Sequence, residues 1–387
     1  MDHIPSLTPL TPPHSEEDSF DWLRLLRSRR VGPSTFFRLM AEHGSASAAL
    51  AALPEVARAA GVDRYAPCPP ERAAEEMRAA RLAGARLLCW GGPGYPAALS
   101  DVPDPPPLLW ALGDTSLLDR YCVALVGARN ASSLGTRMAR RLAEGLVGSG
   151  AVVVSGLARG VDTAAHVGAG PTATVAVMAG GVDVVYPAEN AVLAQEIAEG
   201  GLRLSDQPMG LQPQARHFPR RNRLIAGLSR GVVVVEAAAK SGSLITARDA
   251  LDIGRDVLAV PGHPFDARAA GCNLLIRDGA TLVRGPQDVA EALSLEQPSR
   301  PAAPPQSDTT KPAKRRKPRP DLRAANALHR QILDRLGPSP VAEDQLIRDL
   351  GLAPGTVTPQ LVTLELDGQI ERRPGGLLTR PGSDSRD

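Results

Sequence analysis

Six short β-rich runs constrain this chain more than any other feature. CVALV (122–126), AVVV (151–154), TVAVM (174–178), LRLS (202–205), VVVV (232–235) and VLAV (257–260) alternate with amphipathic stretches such as RMARRLAEGLVGSG. A strand that is apolar at every position is buried on both faces, which places it inside a parallel sheet. Strands alternating with helix-length segments give right-handed crossovers. The pattern therefore predicts an α/β, doubly wound parallel sheet with helices on both sides, beginning near residue 86.

In such a sheet, ligands bind where strands end at their carboxyl termini. Here those ends carry LVGARNASSLG, VVSGLARGVDTAAH, VMAGGVDVVYP and VVEAAAKSGSLITA. Glycine lets backbone N–H groups approach an anion, a following helix adds its positive end, and Ser or Thr adds hydroxyl donors. Gly127, Ser155, Gly156, Gly160, Gly180, Lys240, Ser241 and Gly242 all fall in these turns. One glycine turn is ordinary crossover geometry, but several on one edge point to phosphate recognition.

The segment HFPRRNRLIAGL (217–228) adds charge. Arg216, Arg220, Arg221 and Arg223 crowd the start of an apolar helix. Guanidinium is costly to bury without an anionic partner, so a partner is implied. It is either an external phosphate chain or an internal carboxylate such as Glu236 or Asp183.

Several enzyme classes lack their signatures. There is no GxGxxG with a ribose-binding acid, no GxxxxGK[ST] and no GxSxG elbow. Asp162 and His166 are four residues apart and form either an acid–base pair or a polar fastening of a helix start. His263 reads as a loop residue, and Glu236 as a structural acceptor. The four cysteines are dispersed with no CxxC, which fits a reducing compartment and no zinc site. With no long apolar run, a cytoplasmic chain without membrane contact is expected. No cofactor is expected. The net charge is only +2, so any polyanion site must be local, and with 3% aromatic residues base-stacking platforms must be few.

Around the sheet domain (86–296) the composition changes. Residues 1–17 read as a disordered tail, and 18–85 as a helical domain of helix-hairpin-helix or SAM-like type broken at VGP. Residues 297–320 read as a Pro-rich basic linker containing KRRK, 321–380 as a winged helix of three helices and a hairpin, and 381–387 as a tail. The expected recognition helix, TVTPQLVTLELD, has no Lys or Arg. The winged helix is therefore expected to be mainly a protein-contact or packing domain, with Arg372 and Arg373 on the wing as the exception.

Taken in order, VGARN, SGLARGVDTAAH, VMAGGVDVVYPAEN, HFPRRNRLIAGLSRGVVVVEAAAKSGSLITA, GRDVLAVPG and GCNLLIRDGA resemble the DNA-processing protein A (DprA/Smf) family over roughly 86–290. The resemblance implies an extended Rossmann fold that binds single-stranded DNA without catalysis. It also implies homodimerisation and delivery of the strand to the RecA recombinase during natural transformation. Carried over by motif, Arg129 matches a DNA-binding arginine, and Arg216, Arg220, Arg221, Asn222 and Arg223 lie in or beside the basic segment. Asn222 and Arg223 instead hold the helix start if they do not face DNA. Phe218 is the candidate for stacking or wedging, or else a core residue. The dimer surface is expected at Leu274, Leu275, Ile276, Leu282 and Val283. The alternative is a nucleotide phosphoribohydrolase on the same fold. That enzyme type carries PGGxGTxxE at a comparable turn, whereas KSGSLITARDA offers only Arg248 and Asp249 where its glutamate stands.

Overall fold

A computed structural model of the chain describes residues 11–100, 102–295, 322–337, 339–373 and 376–380. The expected linker at 297–320, the tail at 381–387 and the first ten residues lie outside the described residues. The rest of the expected N-terminal tail differs from expectation, because the helix Glu16–Arg27 begins inside it. Ser15 and Asp18 form a reciprocal capping box, which nucleates the helix within a polar stretch.

Helices Glu16–Arg27, Pro33–His43, Ala46–Ala59 and Pro70–Ala83 form the N-terminal unit around Trp22, Leu25, Phe36 and Leu39. Gly32 leads directly into Pro33, whose ring fits the first helical position. Glu76 fastens this unit to the sheet, accepting from both Arg27 Nε and Nη2 and from the indole of Trp110 at 2.8 Å.

The central sheet has nine strands: β1 (Arg86–Cys89), β2 (Leu108–Gly113), β3 (Cys122–Val126), β4 (Val152–Ser155), β5 (Thr174–Val177), β6 (Leu202–Ser205), β7 (Gly231–Val234), β8 (Asp256–Ala259) and β9 (Thr281–Leu282). Their order is β1-β2-β6-β5-β4-β3-β7-β8-β9. All pairings from β6 to β9 are parallel, while β2 joins β6, and β1 joins β2, antiparallel. The sheet is thus mixed at one edge. The fold is the expected doubly wound one with helical and winged-helix flanks.

Side chains alternate between two cores. Ala124, Val126, Val154 and Val177 pack under the helices His217–Leu228 and Ser243–Asp252. Val123, Leu125, Val153 and Val233 pack under Ser133–Gly148 and Val161–Ala169. Both faces are dry, as continuous apolar strands require.

The winged helix comprises helices Leu322–Arg335, Glu343–Leu350 and Pro354–Leu366 with a three-stranded sheet of Val341–Ala342, Leu377–Thr379 and Glu371–Arg373. Val357, Leu361 and Leu364 of the third helix are buried in its core. The wing arginines are not a spare cationic pair. Arg372 binds Glu343 at 2.5 Å and Glu365 at 3.2 Å, and Arg373 lies 3.7 Å from Glu371.

One expected dimer residue is misplaced. Val283 is fully buried, its side chain in the core beneath Ser133–Gly148, so it cannot contact a partner. Leu275 and Ile276 pack partly against the opposite core, whereas Leu274 and Leu282 are exposed.

Candidate nucleic-acid interface

From β3 the chain winds outward through β4, β5 and β6, then returns to the other side of β3 as β7. The helices after β3 and β7 leave on opposite faces, opening a crevice between the two strand ends. Glu236, just past β7, shapes its rim. Its carboxylate accepts from the Ser132 amide at 3.0 Å and from the Ser132 hydroxyl, and its carbonyl accepts from Ala128 N–H at 2.6 Å. Ser132 in turn caps the helix Ser133–Gly148. Burial raises the Glu236 pKa against these donors; with both carboxylate oxygens engaged by Ser132, the residue is a structural acceptor.

The crevice opens into two lobes. The first, about 520 Å³, is lined by Arg129, Arg159, Met178, Gly180, Tyr186 and Phe218, among others. The second, about 590 Å³, includes Gly127, Arg129, Asn222, Lys240, Ser241, Gly242 and Arg268. Phe218, Arg129, Asn130 and Ala158 border both lobes. Phe218 is therefore a half-buried partition rather than a core residue. The Arg129 guanidinium lies 4.9 Å from its ring centroid and the Tyr186 ring 6.2 Å away. Arg129 and Lys240 are exposed, and no hydrogen bond or ion pair among the described residues engages their charged ends. Gly160 adopts φ +75°, and a side chain there would overlap the carbonyls of Ala128 and Arg129. That contact seats the Arg129 turn.

The four clustered arginines do not form one rim. Arg221 is buried, with Nη1 3.5 Å from the Val177 carbonyl and 3.9 Å from Asp162, and its Nε has no partner. A Cβ on Gly156 would overlap this guanidinium, so that glycine admits the arginine under the crevice floor. Arg220 and Arg223 turn away from the crevice. They line a separate hollow with Asp206 and Asp249, where Arg220 lies 3.6 Å from Asp206 and Arg223 reaches the Pro103 carbonyl. Arg216 is exposed and contacts His217. Helical geometry causes the split: Arg216, Arg220 and Arg223 follow an i, i+4, i+7 stripe, while Phe218, Arg221 and Ile225 follow another. Ser155 is likewise no groove residue, since it is fully buried and donates to the Leu125 carbonyl at 2.7 Å.

Asp162 and His166 do not face each other as an acid–base pair. Asp162 accepts from the amides of Gly156 and Ala158. Thr174 donates to the Val153 carbonyl, so His166 Nδ1 donates to Thr174 while Nε2 accepts from Leu157 N–H. Both residues fasten the β4 exit loop. Burial, aided by the Arg221 charge, pushes the His166 pKa down to about 3. The unfolded imidazole titrates near 6.5, so the unfolded chain binds the extra proton between these values. The stabilisation is full above pH 6.5 and is lost as pH falls, by up to about 1.4 kcal/mol per pH unit. Denaturation midpoints of His166→Asn should accordingly fall less steeply than wild type between pH 6.5 and 4, and parallel curves would refute this.

Sequence reasoning passed over Arg159, Tyr186 and Arg268. The first two stand inside the quoted strand-end motifs, where a cation and an aromatic were available signals. Arg268 lies on an irregular loop with no periodic marker.

A doubly wound sheet with a cation-lined crevice at its switch point, flanked by a helical hairpin unit and a winged helix, defines a Rossmann-type protein. The profile of DNA recombination-mediator protein A matches residues 86–294, that of the DprA-like N-terminal HHH domain 16–79, and that of the DprA winged helix domain 316–376. The chain belongs to the DNA-processing protein A (DprA/Smf) family. The DNA processing protein DprA of Streptococcus pneumoniae (strain ATCC BAA-255 / R6) is 47% identical over 197 residues, covering 50% of this chain and 70% of the relative. The X-ray structure of DNA processing protein A from Streptococcus pneumoniae aligns with a TM-score of 0.55 at 34% identity, covering 74% of this chain and 94% of that one. DNA processing protein A from Helicobacter pylori, whose structure addresses its single-stranded DNA binding mode, aligns with a TM-score of 0.51 at 33% identity, covering 54% and 95%.

Proposed function

We propose that this recombination mediator binds single-stranded DNA along the β3/β7 crevice and acts by binding, without catalysis. The observation that carries the reading is the unpaired, exposed pair Arg129 and Lys240 on opposite lips of a glycine-lined crevice. Phosphates meet these cations and the turn amides, and bases reach the Phe218–Tyr186 lobe. A single strand can turn its bases inward, whereas a duplex hides them. The family resemblance supports transfer of the strand to RecA in the cytoplasm during natural transformation, and a homodimer through the surface at Leu274 and Leu282 beside edge strand β9.

The nucleotide phosphoribohydrolase reading has less support. Asp162 is the one carboxylate lining either lobe among the described residues, and it is buried on two amides. Asp249 faces the hollow containing Arg223 instead. Incubation with nucleoside monophosphates should release no free base.

Salt-titrated binding to single- and double-stranded oligonucleotides tests the proposal. With Arg129 and Lys240 on phosphates, log K for a single strand should fall with log salt at a slope of about −1.4, at roughly 0.7 per contact. Equal affinity for duplex, or a flat slope, would refute it. Arg372→Ala with Arg373→Ala in the full chain should leave the slope within about 0.5 of wild type, because the wing arginines are already paired.

A further inference from the structure

Phe265 has no structural employment. Its side chain is 88% exposed, more than any other large apolar side chain among the described residues, in a chain with only five phenylalanines. It stands on the loop that leaves β8, at the same sheet edge as the crevice. The loop is firmly built: Asn273 brackets Gly262 with two hydrogen bonds, and the His263 carbonyl accepts from Asp266 N–H at 2.9 Å. His263 Nδ1 also accepts from Phe265 N–H itself, with the two rings 5.6 Å apart. Arg268, three residues on, lines the second lobe with Lys240 and Ser241. Its guanidinium is held by Asp266 and by the Asp334 and Leu336 carbonyls, which braces the turn further. An apolar ring held in water on a braced turn beside the second lobe has the form of a base platform: the order is already in place and only the stacking partner is missing.

We infer that Phe265 stacks a nucleobase of the bound strand, extending the track past β7 to the end of β8. This rests on the single-strand reading of the crevice. Continuity with the second lobe through Arg268 favours a base over a second copy of the chain as the occupant of the ring.

The test uses the full chain and an oligothymidylate of about 20 nucleotides, longer than the 4–16 that one binding fold commonly covers. Phe265→Ala and Phe265→Leu should each weaken binding about tenfold, the loss of one stacked base, while the salt slope stays unchanged because no charge is removed. Phe265→Trp should keep wild-type affinity, and its added emission should be quenched at DNA saturation. Trp22 and Trp110 are buried and Trp90 is half-buried against the N-terminal unit, so the new indole is read as the difference from wild type. Wild-type affinity in Phe265→Ala, full retention in Phe265→Leu, or an unquenched indole would overturn the inference while salt-dependent binding leaves the crevice reading standing. A fall in mass by light scattering of DNA-free Phe265→Ala would assign the ring to a protein contact and overturn it as well. If wild type itself shows no salt-dependent binding, the crevice reading fails first and takes this inference with it.

Discussion

Arg129→Ala combined with Lys240→Ala should weaken single-strand binding about a hundredfold and flatten the salt slope by about 1.4 units. Each charge-assisted contact contributes about 1.5–3 kcal/mol, and each phosphate neutralised releases about 0.7 counterion equivalents from a single strand. Both side chains are exposed and their charged ends have no hydrogen bond or ion pair among the described residues; Arg129 gives up only its contact with the half-buried Phe218 ring, so truncating them leaves no charge stranded in the core. The thermal transition should move little. That separation makes the result decisive: weaker binding with a preserved fold and a flatter slope assigns both cations to phosphates. An unchanged slope removes them from the path of the strand. Arg220→Ala with Arg223→Ala is the matched control, since these side chains line the hollow with Asp206 and Asp249. It removes the same formal charge and should shift the slope by less than about 0.3.

That contrast marks where sequence reading reached its limit. The six strand runs were legible because two-sided burial demands apolar residues at successive positions, and each run lies within one residue of a strand. β1 was missed because RLLC is short and buried only at its end, β2 because LLWALG follows a run of prolines, and β9 because two residues carry no period. The glycine turns were legible as an edge, and the structure brings most of them to one crevice. The arginine cluster was read as a single charge patch, although its spacing already held the answer: residues 216, 220 and 223 share a helical stripe, while 221 falls on the stripe of Phe218 and Ile225. Which stripe meets the sheet depends on packing across the chain. Gly227 of this helix lies against Leu99 and Val102, and this close approach turns Arg223 toward Pro103 and Arg221 toward the floor. No local pattern encodes a contact between residues more than a hundred positions apart.

Arg221→Met should be the most destabilising change in the crevice, at about 3–5 kcal/mol, because it strands Asp162 as a buried carboxylate without its counter-charge. The pair is dry, with side-chain exposures of 5% and 9% at 3.9 Å. Burial already raises the Asp162 pKa, with Arg221 the largest opposing influence. Removing the guanidinium raises it further, so the folded variant binds a proton that the unfolded chain, titrating near 3.9, does not. The stability of Arg221→Met should therefore improve as pH falls through the raised Asp162 pKa, where protonated Asp162 needs no partner. This is opposite in sign to the His166 effect, which weakens the fold as pH falls. Combining Arg221→Met with Asp162→Asn should recover more than half of the loss, since the amide carbonyl can still accept from Gly156 and Ala158. Denaturant midpoints of the four proteins close a double-mutant cycle, and a coupling energy near zero would show that Arg221 is held by its surroundings rather than by Asp162.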